Sequence, residues 1–586
     1  MGAHRQGRSA ALGRGTLATL KKLLLATAAI AAAVVVFAAM TLPPAHRSLP
    51  ADADGAVAGI VHVHSVRSDG RGTPDEIAAA AARAGLKFVV FTDHGDATRL
   101  PDRPMYRSGV LCLDGVEIST TGGHYIAIDM AAASYPLGGE ARDVVEDVRR
   151  LGGFGVVAHP DSPKSELRWR EWVAPFDAME IVNLDTGWRR SMQVSNWRPR
   201  LRLFAALAHY PIRPPETIAG LIQPSETVAQ WNVLAERRRV VLLAGADAHA
   251  NLGFRSGGDP SDSRLSLPLP GYTATFRTLS IHVRPDRPLS GEALGDAALL
   301  VRAIRAGHLY SAIDGFASPP SFELTASNLL GTVHEGDALG TGGPVTLRVH
   351  SNAPIDFTTT IFAGARVLTN DRHEQDFTVQ APEVPDVYRA EIHPPANPTA
   401  WLVSNAIYVR PPQTPAKPPV RPPATASEPL FDGKTTTGWQ VETDPKSRAA
   451  LEVTTGLAGP ELRWRYALAN DTPSGEFAGI SYATVNGVAP NDRLSFRVRA
   501  ERPMRISMQL RNWAKPVNDR WQRSVYVDTF EQERTLFFDD LTPVGVTSTW
   551  RPVLSEVRSV IFAIDTTNTK PGSAGRVWIR NVALQR

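Results

Sequence analysis

Short apolar runs that end in histidine or aspartate set the rhythm of the first half of the chain. Gly59-Ile60-Val61-His62-Val63-His64, Phe88-Val89-Val90-Phe91-Thr92-Asp93-His94, Phe154-Gly155-Val156-Val157-Ala158-His159 and Val241-Leu242-Leu243-Ala244-Gly245-Ala246-Asp247-Ala248-His249 each predict a buried strand with polar residues at its carboxyl end. Residues i and i+2 of a strand share a face, so His62 and His64 are expected to point together, as are Asp247 and His249. After the first run, Thr73-Pro74-Asp75-Glu76 predicts a helix start with a capping box and a proline at the first position, and Gly85 predicts its end. Helical patterns over 140–151 and 225–238 lead into the third and fourth runs. Residues 56–315 thus alternate strand and helix, an α/β signature, and the polar strand ends are expected on one barrel rim.

From 316 to 410 the helical patterns stop, and Val345–His350 and Trp401–Val409 predict strands of a small β-sandwich. Residues 411–429 hold eight prolines, a semi-rigid polyproline linker. Residues 430–586 predict a C-terminal all-β domain: Leu494–Arg499, Ile506–Leu510 and Val577–Ile579 alternate apolar and polar positions.

The N-terminus has a different pattern. Arg5, Arg8, Arg14, Lys21 and Lys22 make residues 1–22 basic, and 23–42 carry no charge before Pro43-Pro44. As a helix that uncharged run is ~30 Å long, enough to cross a hydrocarbon core. Residues 1–22 are then expected in the cytoplasm and everything after Pro43 outside, membrane-anchored. A cleaved signal peptide, leaving a secreted or periplasmic protein, is the competing expectation.

Composition narrows the chemistry. The net charge is +4 with basic residues scattered, which argues against nucleic-acid binding. Cys112 is the only cysteine, so a metal would be held by histidines and carboxylates, donors that suit Zn, Mn or Fe. Beside the four strand ends stand Ser68-Asp69-Gly70, Gly115-Val116-Glu117 and Gly123-His124-Tyr125. Imidazoles that fix each cation and a carboxylate that bridges two of them are what a polynuclear hydrolytic centre requires.

The ordered set His-x-His, Ser-Asp-Gly, Thr-Asp-His, Gly-x-Glu, His-Pro and Asp-x-His, from His62 to His249, resembles the polymerase-and-histidinol-phosphatase (PHP) superfamily. The resemblance implies a distorted (β/α)7 barrel holding two or three divalent metals. It makes His62, His64, Asp69, His94, Glu117, His124, His159, Asp247 and His249 ligands, with Glu117 bridging. It places Glu117, His124 and Asp247 among the catalytic residues. His124 or a metal-bound water is expected to protonate the leaving group. Known activities of that superfamily are mostly phosphoester hydrolysis. The exported layout, a barrel followed by a β-sandwich ending in Trp401–Val409, looks most like its carbaryl-hydrolase-like branch, which keeps carbamate, amide and ester substrates open. Arg67, Arg71, Lys164 and Arg255 follow ligand segments and are candidates to hold a small-molecule or envelope-derived substrate. His209, His282, His308, His334, His350, His373 and His393 lack such a context and are expected to be structural.

Residues 430–586 resemble galactose-binding-like sandwiches of the carbohydrate-binding-module kind. The segments that carry this are Met508–Arg511, Arg520–Val527, Ile564–Gly572 and Gly575–Ile579. Glycan is the implied partner, with Trp439, Trp513 and Trp521 as candidate stacking faces. A non-catalytic envelope glycan-binding protein is the alternative to a hydrolase.

Overall fold

The computed structural model of the chain describes residues 7–51, 55–193, 197–253, 266–382, 385–411, 421–470, 475–512 and 518–586. Arg255, Trp513 and the linker residues 412–420 lie outside these. Helix α1 (Gly7–Thr41) contains the uncharged run. Its Thr19–Thr41 window has a mean hydropathy of 2.6 and is 6% buried, so by length and composition it could cross a membrane.

Seven strands follow in hydrogen-bonded order: β1 (Val57–Val63), β2 (Phe88–Phe91), β3 (Val110–Thr120), β4 (Gly123–Ile128), β5 (Phe154–Val157), β6 (Ala178–Asn183) and β7 (Val241–Gly245). The chain beyond β7 closes them into a ring. Ala246 and Ala248 N–H donate to the Val61 and His62 carbonyls at 3.0 and 3.2 Å, and His64 N–H donates to the Ala248 carbonyl at 3.0 Å. β1–β2–β3 and β5–β6–β7 pair in parallel. β4 runs antiparallel to both its neighbours, so the expected strand–helix alternation is interrupted. The reason is local: β3 reaches β4 through Thr121-Gly122 alone, and Gly123 at φ +115° takes a conformation that side chains resist.

Helix α2 (Pro74–Ala84) crosses from β1 to β2 and has the expected ends. The Thr73 side chain accepts from Glu76 N–H, Glu76 returns the bond, and Gly85 sits at φ +86°. Helix α3 (Ala141–Arg150) crosses from β4 to β5. Helices α4 (Leu184–Gln193) and α5 (Trp197–His209) follow β6. The strand interior is apolar: Phe88, Val90, Leu111 and Val156 are at most 1% exposed.

The barrel does not end where the helical patterns do. β8 (Ser280–Val283) pairs antiparallel with the first half of β1, and β9 (Leu309–Ala312) pairs with β8. β10 (Asp386–His393) pairs with β11 (Leu402–Ser404), and β11 pairs with β9. One sheet therefore runs across residue 316. The Asn405 side chain adds a staple, accepting from Leu242 N–H at 2.8 Å and donating to Leu242 O at 2.7 Å.

Residues 427–585 form two six-stranded sheets around a core that includes Trp439, Trp464 and Trp521. Residues 421–429 lie on this sandwich rather than standing free: Arg421 pairs with Asp539, and Ser427–Pro429 adds to the last strand. The sandwich also clamps the barrel. Arg505 on β12 (Met504–Asn512) meets α3, with Nε 2.8 Å from Asp147 Oδ2 and Nη1 3.2 Å from Asp143 Oδ1. Arg523 on β13 (Asp519–Val527) also pairs with Asp143.

Candidate metal centre

The strand ends converge on one carboxylate. Glu117 Oε2 lies 3.2 Å from His62 Nε2, 3.2 Å from His64 Nε2 and 3.3 Å from His94 Nδ1. Its Oε1 lies 2.8 Å from His124 Nδ1 and 3.0 Å from His159 Nε2. Asp247 Oδ1 stands 3.3 Å from His62 Nε2 and 3.5 Å from His64 Nε2. Asp69 Oδ1 stands 3.5 Å from His64 Nδ1 and 3.2 Å from His249 Nε2, and Asp69 Oδ2 is 3.7 Å from His94 Nε2. All nine expected ligand residues are thus brought together.

Donor atoms of eight of them fall into three groups within 4.8 Å: His64, Asp69, His94 and His249; His62, His64, Glu117 and Asp247; His94, Glu117 and His124; His159 joins through Glu117 Oε1 alone. His64, His94 and Glu117 each belong to two groups, so neighbouring positions share ligands. Glu117 sits at 1% exposure inside β3, beside His94 through a parallel bridge.

The backbone bends to achieve this. His62, His159 and Asp247 have φ of +64°, +29° and +47°, a region that costs non-glycine residues on the order of 1–3 kcal/mol each. At His62 the β1–β2 register shifts. His62 and His64 therefore share a side across a bulge, rather than by the simple alternation expected. Asp247 lies beyond β7, where the chain crosses to β1. Glycines make room: a Cβ on Gly70 would lie 2.2 Å from the His64 carbonyl, and one on Gly245 1.7 Å from Glu180 Oε1.

The donor set fits cations. His64 Nε2 is buried with no hydrogen-bond partner while facing two carboxylate oxygens. An imidazole lone pair aimed at a carboxylate is repulsive unless a proton or a metal lies between them. The charges say the same. Burial pushes Glu117 and Asp247 up, yet the imidazoles, His62 foremost, hold both carboxyls well below the usual range. Burial pushes His249 down, yet Asp69 and Asp247 raise it to about 9. Oxygen and imidazole ligands without sulfur suit Zn, Mn or Fe.

Three residues were not expected. Glu180 Oε1 lies 2.6 Å from His62 Nδ1, and its Oε2 accepts His159 N–H at 2.6 Å and Asn183 Nδ2 at 2.8 Å. Asp93 accepts from Ser65 N–H, Ser65 Oγ and Ser68 Oγ at 2.7, 2.8 and 2.7 Å, fixing the loop that carries Asp69. Tyr272 OH donates to the His64 and His249 carbonyls at 2.8 and 3.0 Å. A lone acid in the apolar Ala178–Asn183 strand was a readable sign of Glu180. Tyr272 carries no sequence signal.

The substrate candidates are less well placed. Arg67 lines a small cavity with His94, but its guanidinium is taken by Asp102 and Asp114. The Lys164 ammonium faces Glu166 at 3.9 Å. Arg71 donates its backbone N–H to Tyr272 OH. In the sandwich, Trp439 and Trp521 are 7% and 1% exposed with Nε1 bonded to the Leu430 and Thr549 carbonyls, so both are core and not stacking platforms. The remaining histidines have structural partners: His282 stacks on Tyr310 and His308 meets Asp337.

No family model matches the chain, and no curated protein matches it. Among solved structures the chain is similar to the family 11 carbohydrate-binding module from Clostridium thermocellum in complex with a β-1,3-1,4-mixed-linked tetrasaccharide, at 14% identity over 27% of this chain and 94% of that one, with a TM-score of 0.23. It is likewise similar to the family 30 module of the cellulosomal cellulase Cel9D-Cel44B of Clostridium thermocellum, at 13% identity over 27% of this chain and 96% of that one, with a TM-score of 0.21. Both are carbohydrate-binding modules by their descriptions.

Proposed function

We propose that the barrel is a metal-dependent hydrolase of the PHP type, exported and anchored by α1, and that its substrates are phosphomonoesters or phosphodiesters. The observation that carries this reading is the buried carboxylate of Glu117, ringed by five imidazoles, three of which also lie beside Asp69 or Asp247. His62, His64, Asp69, His94, Glu117, His124, His159, Asp247 and His249 would hold two or three divalent cations. Bound there, the cations supply Lewis acidity and an activated water at neutral pH. The protein's part is to fix and shield. Glu180 orients the His62 ring, and the ring strands keep the inner ligands dry. His94, Asp69 and His249, at 34%, 20% and 22% side-chain exposure, form the open side through which a substrate reaches the centre. His124, 12% exposed, with Nδ1 2.8 Å from Glu117 Oε1 and Nε2 3.3 Å from Ser119 Oγ, would serve as the proton donor to a leaving group through its Nε2 side.

The test is elemental analysis of the purified full-length chain with turnover of p-nitrophenyl phosphate and bis-p-nitrophenyl phosphate. Two or more metal equivalents with turnover are expected, and His94→Ala and Asp247→Ala should each abolish turnover and lower metal content. A metal-loaded chain that cleaves only carbamate, amide or carboxylic esters would move the substrate class and keep the centre.

A second reading is glycan binding by residues 430–586, the ligand class of the modules named above. Trp550, 74% exposed on the sandwich, offers an aromatic face for it. Retention on a glycan in affinity electrophoresis, with no metal and no turnover, would favour this reading.

A further inference from the structure

α5 carries an apolar stripe that the described residues leave uncovered. Trp197, Leu201, Phe204 and Leu207 are 64%, 48%, 68% and 49% exposed. At 3.6 residues per turn they fall within an arc of about 120°. A surface helix of a soluble domain turns such a stripe inward; this one turns it out. Arg200, within that arc, and Arg202, outside it, are exposed too.

The helix is fastened to the foot of α1. Thr41, the last residue of α1, places Oγ1 2.8 Å from Nε2 of His209, the last residue of α5. The Arg213 guanidinium donates to the Pro43 carbonyl, and His46 N–H donates to Glu216 Oε1 at 3.2 Å. The point where α1 would leave a bilayer is thus one hydrogen bond from the end of α5. An α5 of 13 residues is ~20 Å long, and its exposed residues, Trp, Phe and Leu flanked by Arg, are those that settle at the boundary between headgroups and acyl chains.

We propose that the apolar stripe of α5 docks into the surface of the bilayer that α1 crosses, so that the barrel rests on the membrane instead of hanging from its anchor. The proposal rests on the reading of α1 as a membrane anchor. α4 links this docked helix to the metal edge. It begins directly after β6, and its Arg190 reaches Asp161, two residues past His159, at 3.1 Å. Docking would hold that edge beside the headgroups.

The experiment uses the full-length chain with Cys112→Ser in nanodiscs of phosphatidylcholine and phosphatidylglycerol. A single cysteine is placed at Leu201→Cys, at Phe204→Cys or, as control, at Leu329→Cys, and labelled with an environment-sensitive fluorophore. Leu329 is 90% exposed in the hairpin between Phe322–Asn328 and Gly331–His334, away from α5. Lipids bearing a nitroxide near the top of the acyl chain should quench positions 201 and 204 at least twofold more than 329. Equal quenching at all three positions overturns the proposal. A blue-shifted but unquenched probe that reverts when each disc holds one copy overturns it too, in favour of a second copy of the chain. Carbonate extraction of the same chain from native membranes separates the two readings. Retention with an unquenched probe removes the docking and leaves the span; release with a quenched probe removes the span and leaves the docking.

Discussion

Glu180 holds the His62 ring in place: Oε1 lies 2.6 Å from Nδ1, which turns Nε2 toward Glu117 and Asp247. Outer carboxylates of this kind typically govern metal affinity by about 10–100-fold. Glu180→Gln should therefore weaken metal binding by that order while the chain stays folded. Gly245→Ala should act in the same direction, because its Cβ would lie 1.7 Å from Glu180 Oε1. Metal titration monitored by calorimetry checks both, and unchanged affinity in Glu180→Gln would remove this residue from the centre.

Stripping the metal should destabilise the barrel. Without cations, buried His64 Nε2 faces Glu117 and Asp247 with only a proton to take the ion's place. A bound ion stabilises by RT ln(1 + [L]/Kd), about 2.7 kcal/mol at a hundredfold excess over Kd. Chelation should lower Tm by several degrees, and Zn or Mn should restore it. Glu117→Gln should abolish that response. A Tm indifferent to chelator in the metal-loaded protein would contradict the assignment.

Asp314 gives a pH dependence separate from the centre. Burial pushes its carboxyl up to about 7, a hydrogen bond from Ser280 only partly offsetting it. The native state then keeps a proton that the unfolded chain releases above about pH 4, so this group's contribution to stability falls between about pH 4 and pH 7 and is flat beyond. Asp314→Asn should gain in Tm over the parent by a few degrees more at pH 8 than at pH 4.5. Equal differences at the two pH values would show that Asp314 titrates normally.

The contact between sandwich and barrel depends on Arg505, which is 1% exposed and faces Asp143 and Asp147, themselves 2% and 1% exposed. Without Arg505, Asp143 keeps Arg523 and Asp147 keeps Arg150 and Tyr135, so the cost falls below the about 3–5 kcal/mol of a buried charge left wholly unpaired. Arg505→Ala should loosen the contact, raising amide hydrogen exchange across residues 141–150 while the core of each part stays protected. Unchanged exchange there would place the strength of the contact elsewhere.

Much of the centre was legible because its ligands sit at the ends of apolar runs, where strand pattern and chemistry coincide. The route by which they meet was not. A strand period alone pairs His62 with His64, yet the chain does it through a bulge at φ +64°, which no glycine announces. Tyr272 acts through backbone carbonyls and leaves no spacing to read. The clamp on α3 was hidden for another reason. Asp143, Glu146 and Asp147 at i, i+3 and i+4 look like a solvated helix face, and Arg505 occupies an outward position of an alternating strand. Both patterns mean an interface only once the two surfaces meet.

That clamp changes what the proline segment can do. A module on a loose tether raises the effective concentration of its ligand throughout the radius the tether sweeps. One gripped through Arg505 and Arg523 has a single attitude. On the hydrolase reading, a ligand held by the sandwich would meet the centre from one fixed bearing, so lengthening residues 412–420 should leave turnover of an immobilised substrate untouched.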